Sequence, residues 1–132
     1  MKKFKMIAAA LASTVALATP VFAEWTKVDK DVDGDTYYID FDTIKENDGY
    51  VYYWEMTDML KPFENGTLSG KFLKEVDCDI PRKFRNLSVV FYNQPMAGGN
   101  GDSYNPPNEW KYPSPNTVAE GMANAACEYA GK

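Results

Sequence analysis

A pair of cysteines behind an export leader constrains this chain more than any other feature. The first residues, MKKFKMIAAALASTVALATPVFA, carry Lys2, Lys3 and Lys5, then an apolar run from Met6 to Ala18. They close on Val21-Phe22-Ala23 after Pro20. A basic start, a short apolar run and a small-residue end form the pattern of a secretory signal peptide. The run is shorter than the roughly 20 apolar residues that cross a bilayer. Residues 1–23 therefore read as a signal peptide, and residues 24–132 as one domain of 132 − 23 = 109 residues. No cysteine follows the cut, so no lipid anchor is expected there. Beyond the leader only Cys78 and Cys127 remain. In an oxidising compartment two cysteines most simply pair. Closing the 127 − 78 = 49-residue span would stabilise the fold by roughly 4 kcal/mol on the chain-entropy account. The other reading is a reactive thiol, which needs a neighbouring base to hold the thiolate.

Histidine is absent. Its absence excludes Ser-His-Asp and Cys-His catalysis, and histidine-ligated zinc or haem. Two cysteines alone do not make a four-ligand zinc site. A carboxylate pair could still act as acid and base, but the acidic residues offer too many pairs for one to stand out. No cofactor is expected. Removing the leader removes three lysines and no acids, so the exported charge is 11 − 19 = −8. That balance argues against nucleic acid and against anionic lipid as partners.

The body of the chain alternates with period two, the signature of strands with one covered face. Short strands are expected at Glu24–Val28 and at Thr36–Phe41, where Tyr37, Ile39 and Phe41 share a face. A third runs over Tyr50–Thr57, with Tyr50, Tyr52, Trp54 and Met56 in phase. A fourth spans Thr67–Asp77, with Leu68, Phe72, Val76 and then Cys78 in phase, and a fifth spans Lys83–Asn93. Met96 to Pro107, rich in Gly, Asn and Pro, reads as a long loop, with a short last strand near Trp110 and Tyr112. Ser114-Pro115 is a good helix start. After it, Val118, Met122, Ala125 and Tyr129 recur at helical spacing, and Ala119, Ala123, Ala126 and Cys127 widen the apolar stripe. Such a helix should pack flat on a sheet. The expected fold is α+β: a meandering antiparallel sheet of five or six strands, one face covered by a C-terminal helix tethered through a disulfide.

Several side chains are candidates for function. Asp29, Asp31 and Asp33 fall at the first, third and fifth positions of a calcium loop, with Gly34 at the sixth. Asp35 and Asp40 complete the acidic set. The flanks alternate like strands rather than helices, so an acidic hairpin turn is the plainer expectation, with a calcium site as the alternative. Arg82, Lys83 and Arg85 form a basic cluster. If the helix covers one face, Tyr53 and its neighbour Tyr38 are left on the other, and exposed tyrosines make good interface anchors. Trp110, with Tyr104 and Tyr112, borders the Gly/Pro loop and offers a second surface.

The order Trp25, Asp33-Gly34, Tyr37-Tyr38-Ile39-Asp40, Thr43-Ile44-Lys45 and Gly49-Tyr50-Val51 resembles the surface-adhesin protein E family. The resemblance continues through Trp54, Asp77-Cys78, Arg82, Arg85, Leu87, Pro95-Met96, Trp110, Pro113-Ser114 and Cys127. It implies a sheet with one disulfide-tethered helix, in a non-enzymatic bacterial protein found in the periplasm, on the cell surface or secreted. It also implies host matrix proteins such as vitronectin and laminin as partners, and a possible homodimer. The chain departs from the family in having no histidine to ligate haem. A different function is an acidic inhibitor of a cationic periplasmic enzyme such as lysozyme, steered by the negative charge.

Overall fold

A computed structural model describes residues 24–132; the signal-peptide reading of residues 1–23 lies outside the described residues. Six strands follow one another across a single sheet in the order of the chain, each antiparallel to the next. They are β1 (Thr26–Lys30), β2 (Thr36–Asn47), β3 (Tyr50–Asp58), β4 (Ser69–Asp77), β5 (Lys83–Tyr92) and β6 (Gly101–Tyr104). One helix, α1 (Val118–Tyr129), follows the sheet. The expected α+β meander is present, and Cys78 is bonded to Cys127, with their Cα atoms 5.8 Å apart.

Four boundaries differ most from expectation. Beyond Phe41, in place of the expected polar connection, β2 resumes after a register break and runs to Asn47. The Gly/Asn/Pro stretch contains β6, because four residues of low strand propensity can still add to an exposed edge that supplies their hydrogen bonds. The strand expected at Trp110 and Tyr112 is reduced to one bridge between Phe84 and Lys111. The helix is capped by Thr117 rather than Ser114: the Thr117 hydroxyl accepts from the Glu120 amide, while Asn116 sits at φ 62 and breaks the chain direction just before it. That positive φ prevents a helix from starting at Pro115.

Turn chemistry sets the hairpins. Asp48 and Gly49, at φ 53 and φ 86, form the two-residue link between β2 and β3. Both residues need left-handed backbone, which Asp and Gly tolerate best. Between β1 and β2 the Asp31 carboxylate accepts from the amides of Asp33 and Asp35, each at 3.0 Å, and from the Tyr37 hydroxyl at 2.8 Å. The Tyr37 hydrogen bond, helped by those amides, holds the Asp31 carboxyl below its ordinary value.

Along β2, Tyr37, Ile39 and Phe41 point toward α1, as expected. Along β3 the expected phase is inverted. Val51 and Tyr53 join Ile39, Val76 and Cys78 in the core under Met122, Ala123 and Ala126, whereas Tyr50, Tyr52 and Trp54 face away. Tyr53, expected to be exposed, is 2% exposed. The reason is register. Val51 lies opposite Val76 and Glu55 lies opposite Ile39, and residues that face each other across a ladder share a side of the sheet. A bulge in β5 at Leu87 shifts parity again, so Phe84, opposite Val76, and Val89, opposite Phe72, also lie on the inner side.

The inner side carries a charged pair, Glu55 and Lys74, among its tyrosines. The Tyr53 hydroxyl donates to Glu55 Oε1 at 2.8 Å, and Lys74 Nζ lies 3.9 Å from Glu55 Oε2. Burial, with the Glu55 carboxylate beside it, pushes the Tyr53 phenol well above its ordinary 10.0. Burial and the Asp31 hydrogen bond raise Tyr37 in the same direction. Burial also lowers Lys74.

Two outcomes follow from this packing. A 12-residue helix is marginal alone, so α1 depends on its tether and its apolar contacts. Replacing both cysteines by serine should lower the urea unfolding free energy by roughly 2–4 kcal/mol; an unchanged transition would show that packing alone holds α1. The tyrosines give a pH effect. An acid whose folded pKa is raised keeps its proton when the unfolded chain has lost it, so stability falls as pH rises above about 10. Phenolate absorbance from Tyr37 and Tyr53 should therefore appear together with loss of the β-sheet circular dichroism signal, and Tyr53→Phe should remove one phenolate from that step. Full phenolate absorbance with the sheet signal intact would contradict the burial.

Candidate functional site: the helix-free face of the sheet

The inverted phase of β3 leaves an aromatic row on the face opposite α1. Trp54, Tyr52 and Tyr50 succeed one another along β3 on this outer side. At one end a cleft is lined by Trp25, Asp40, Thr43, Trp54 and Lys71, and the Lys71 ammonium lies 5.0 Å from the Trp54 ring centroid. At the other end Trp110 packs 5.6 Å from Tyr50. Lys83 and Arg85 lie 5.0 Å and 4.6 Å from the Trp110 ring. The chain's three tryptophans thus share one face, where Lys71, Lys83 and Arg85 lie over Trp54 or Trp110 and Lys27 and Lys45 share the same side.

Local chemistry holds the row. Between Asp40 and Lys45 the β2–β3 register breaks. There the Thr43 hydroxyl donates to the Asp40 carbonyl at 2.6 Å and accepts from the Trp54 amide at 3.0 Å, replacing a lost ladder bond. At the centre Glu75 is 3% exposed. It accepts from the Tyr52 hydroxyl at 2.7 Å and from Arg85 Nε at 2.5 Å. Arg85 also donates to Asn108 at 2.8 Å, and Phe84 and Lys111 exchange backbone hydrogen bonds at 2.9 Å and 2.8 Å. These contacts pin the segment that carries Trp110. Glu75 therefore uses its charge on Arg85 inside the sheet surface, and Lys71 and Lys83 stand at the rim with Lys27 and Lys45 on the same side.

The basic cluster is divided. Lys83 and Arg85 belong to this face, but Arg82 does not. Arg82 donates to the Cys78 carbonyl at 3.1 Å and to Asn124 of α1 at 2.6 Å. It braces the helix beside the disulfide. Tyr38 is half-buried on the outer face, opposite Met56. Tyr104 packs edge-on against Phe91, whose ladder partner Gly70 has the inner-side parity, so Tyr104 and Trp110 do not share a surface.

The acidic residues are also dispersed. The Asp31 carboxylate serves its turn, and Asp35 accepts from the Leu60 amide at 2.9 Å. Asp29 accepts from the Lys30 amide at 2.7 Å. Asp40 is 7% exposed within β2 and accepts from the Asp42 amide at 3.2 Å. Among the described residues no group of three or more acids or cysteines gathers as a metal site. Asp31 to Asp35 form the turn of a β-hairpin, and Asp29 lies in β1 opposite Tyr37. Among the described residues, no helix is long and apolar enough to cross a membrane.

Trp25, Trp54 and Lys71 were not singled out from the sequence as partners of Trp110. The usable signal was parity: Trp54 and Tyr52 alternate with the buried Val51 and Tyr53, so burying one set exposes the other.

The fold and family can be placed by comparison. A crystal structure of Haemophilus influenzae protein E, in a second crystal form, is 20% identical over 86% of this chain and 94% of the other, with a TM-score of 0.60. A second structure, of protein E from non-typeable Haemophilus influenzae, is 18% identical over 86% of this chain and 82% of the other, with a TM-score of 0.52. At these identities the likeness concerns the fold. No curated protein matches the chain in sequence. The family sequence model named surface-adhesin protein E matches residues 25–128, nearly all of the described domain. The chain therefore belongs to the surface-adhesin protein E family, and with it to adhesin-like, non-enzymatic proteins of exported or surface location.

Proposed function

We propose that this protein is an exported adhesin-like binding module that recognises a protein partner through the helix-free face of its sheet. Host matrix proteins such as vitronectin and laminin are the partner class that the family implies. The observation that carries the reading is the row of Trp25, Trp54 and Trp110 with Lys71, Lys83 and Arg85 on one face. Trp, Tyr and Arg are the residues most enriched where protein interfaces gain their energy. Cations on this face, in a chain whose exported charge is 11 − 19 = −8, favour an acidic patch on the partner. They disfavour the reading of a plug for a cationic enzyme, because contact there would set like charges together. A homodimer, also implied by the family, would present two such faces and raise avidity on an immobilised partner.

Binding of the exported protein to immobilised vitronectin and laminin tests this reading. Lys71→Glu reverses a rim charge beside Trp54 and should weaken binding by about tenfold at low salt, with a shallower dependence on salt than the parent shows. Val32→Ser, at a fully exposed turn residue remote from the row, should bind like the parent. Equal binding by Lys71→Glu would remove the outer face from the contact. No binding to either matrix protein would overturn the partner class.

A further inference from the structure

The helix leaves a second feature on the opposite side of the sheet. α1 packs on β1, β2 and the near part of β3, so it stops short of the inner side of β4 and β5. A groove of about 270 Å³ lies along that margin, with Val118 and Met122 of α1 on one wall and Tyr53, Phe72 and Phe84 on the sheet side. Glu55 and Lys74 are its charged members.

We propose that this groove binds a small amphipathic anion, an apolar body ending in a carboxylate, with the Lys74 ammonium as its anchor. The Lys74 side chain is 13% exposed. Among the described residues the only carboxylate oxygen within 4.0 Å of its nitrogen is Glu55 Oε2, at 3.9 Å. That distance is beyond hydrogen-bond reach, and the other Glu55 oxygen already accepts from Tyr53. The ammonium instead lies over the rings of Phe84, at 4.3 Å, and Phe72, at 5.6 Å. An ammonium has three donors, and cation–π contact satisfies none of them as hydrogen bonds. A largely buried ammonium that faces the groove without a hydrogen-bonded protein partner is poorly solvated, so an incoming carboxylate gains more here than at the open surface. Lys111 adds positive potential at Lys74. Glu55 already accepts from Tyr53 on one oxygen and has the Lys74 charge nearest its other, which disfavours a cationic ligand. The apolar walls and modest volume suit one ring or a short branched chain. This groove and the aromatic row lie on opposite faces, so the two readings stand or fall separately.

The probe is 3-phenylpropanoate, compared with its neutral amide, 3-phenylpropanamide. The protein is expressed with its leader, purified from the exported fraction and followed by amide chemical shifts. Saturable shifts at Val118, Met122 and Phe84 are expected, with the acid binding about tenfold tighter than the amide. Lys74→Met should bring that ratio to about one. Glu55→Gln keeps an acceptor for Tyr53 but removes the competing charge, so it should tighten the acid several-fold. These opposite signs separate anchoring from loss of fold, and Glu55→Gln alone carries the test if Lys74→Met does not fold. Equal affinity for acid and amide, no saturable shifts, weaker acid binding by Glu55→Gln, or shifts confined to the outer face would each overturn the proposal.

Discussion

Cys78 follows the last residue of β4 and can reach Cys127 from only one side of the sheet. That bond decides which side the helix covers, and parity then carries the decision from strand to strand. Val76 is two residues before Cys78 and lies on the same side. Its ladder partner Val51 must share that side, and so must Tyr53 and Glu55. Glu55 in turn aligns with Ile39. A slip of one residue anywhere in this sequence would expose the apolar set and bury the polar one. The disulfide is thus more than a limit on unfolded-chain entropy. It fixes the direction in which every alternating strand faces.

A single helix cannot cover a six-stranded sheet on both sides. The outer side is closed instead by partly buried aromatics, by the segment around Trp110, and by the turn at Pro95–Ala97. That turn is held where the Ser69 hydroxyl donates to the Gln94 carbonyl and accepts from the Ala97 amide. These covers are thin, so large rings remain half-buried and cations stack over them. Each exposed ion pair or cation–π contact is worth little by itself, about a kcal/mol or less. Their value lies in arrangement. Rings held by neighbouring charges lose little conformational freedom when a partner docks. The buried Glu75 supports this by locking Tyr52 and Arg85 from beneath.

The inner side shows the opposite economy. α1 is short, and its small residues allow close packing on β1, β2 and the end of β4 near Cys78 but leave the rest of β4 and β5 without a helical cover. Lys74 falls in phase with Phe72 and Val76, and alternation commits it to the inner side whatever its charge. Glu55 offsets part of that cost, from too far away to use the ammonium's donors.

Much of this architecture was legible in the residues. Period-two alternation, Asp48-Gly49, the helical stripe of Met122, Ala126 and Tyr129, and a lone cysteine pair are local signals. They determined a disulfide-stapled antiparallel sheet with one helix, because each depends only on neighbours along the chain. The acidic stretch was likewise readable as a turn, since strand-like flanks do not supply the paired helices of an EF-hand. Tertiary structure alone decided which face of β3 is buried, that Arg82 braces α1 while Lys83 and Arg85 face outward, that β6 forms from a Gly-rich stretch, and that three distant tryptophans fall on one face. Alternation states that two faces differ, but not which one the helix will choose. That choice rests on the disulfide, on register between strands and on three breaks in that register, which depend on residues far apart in sequence.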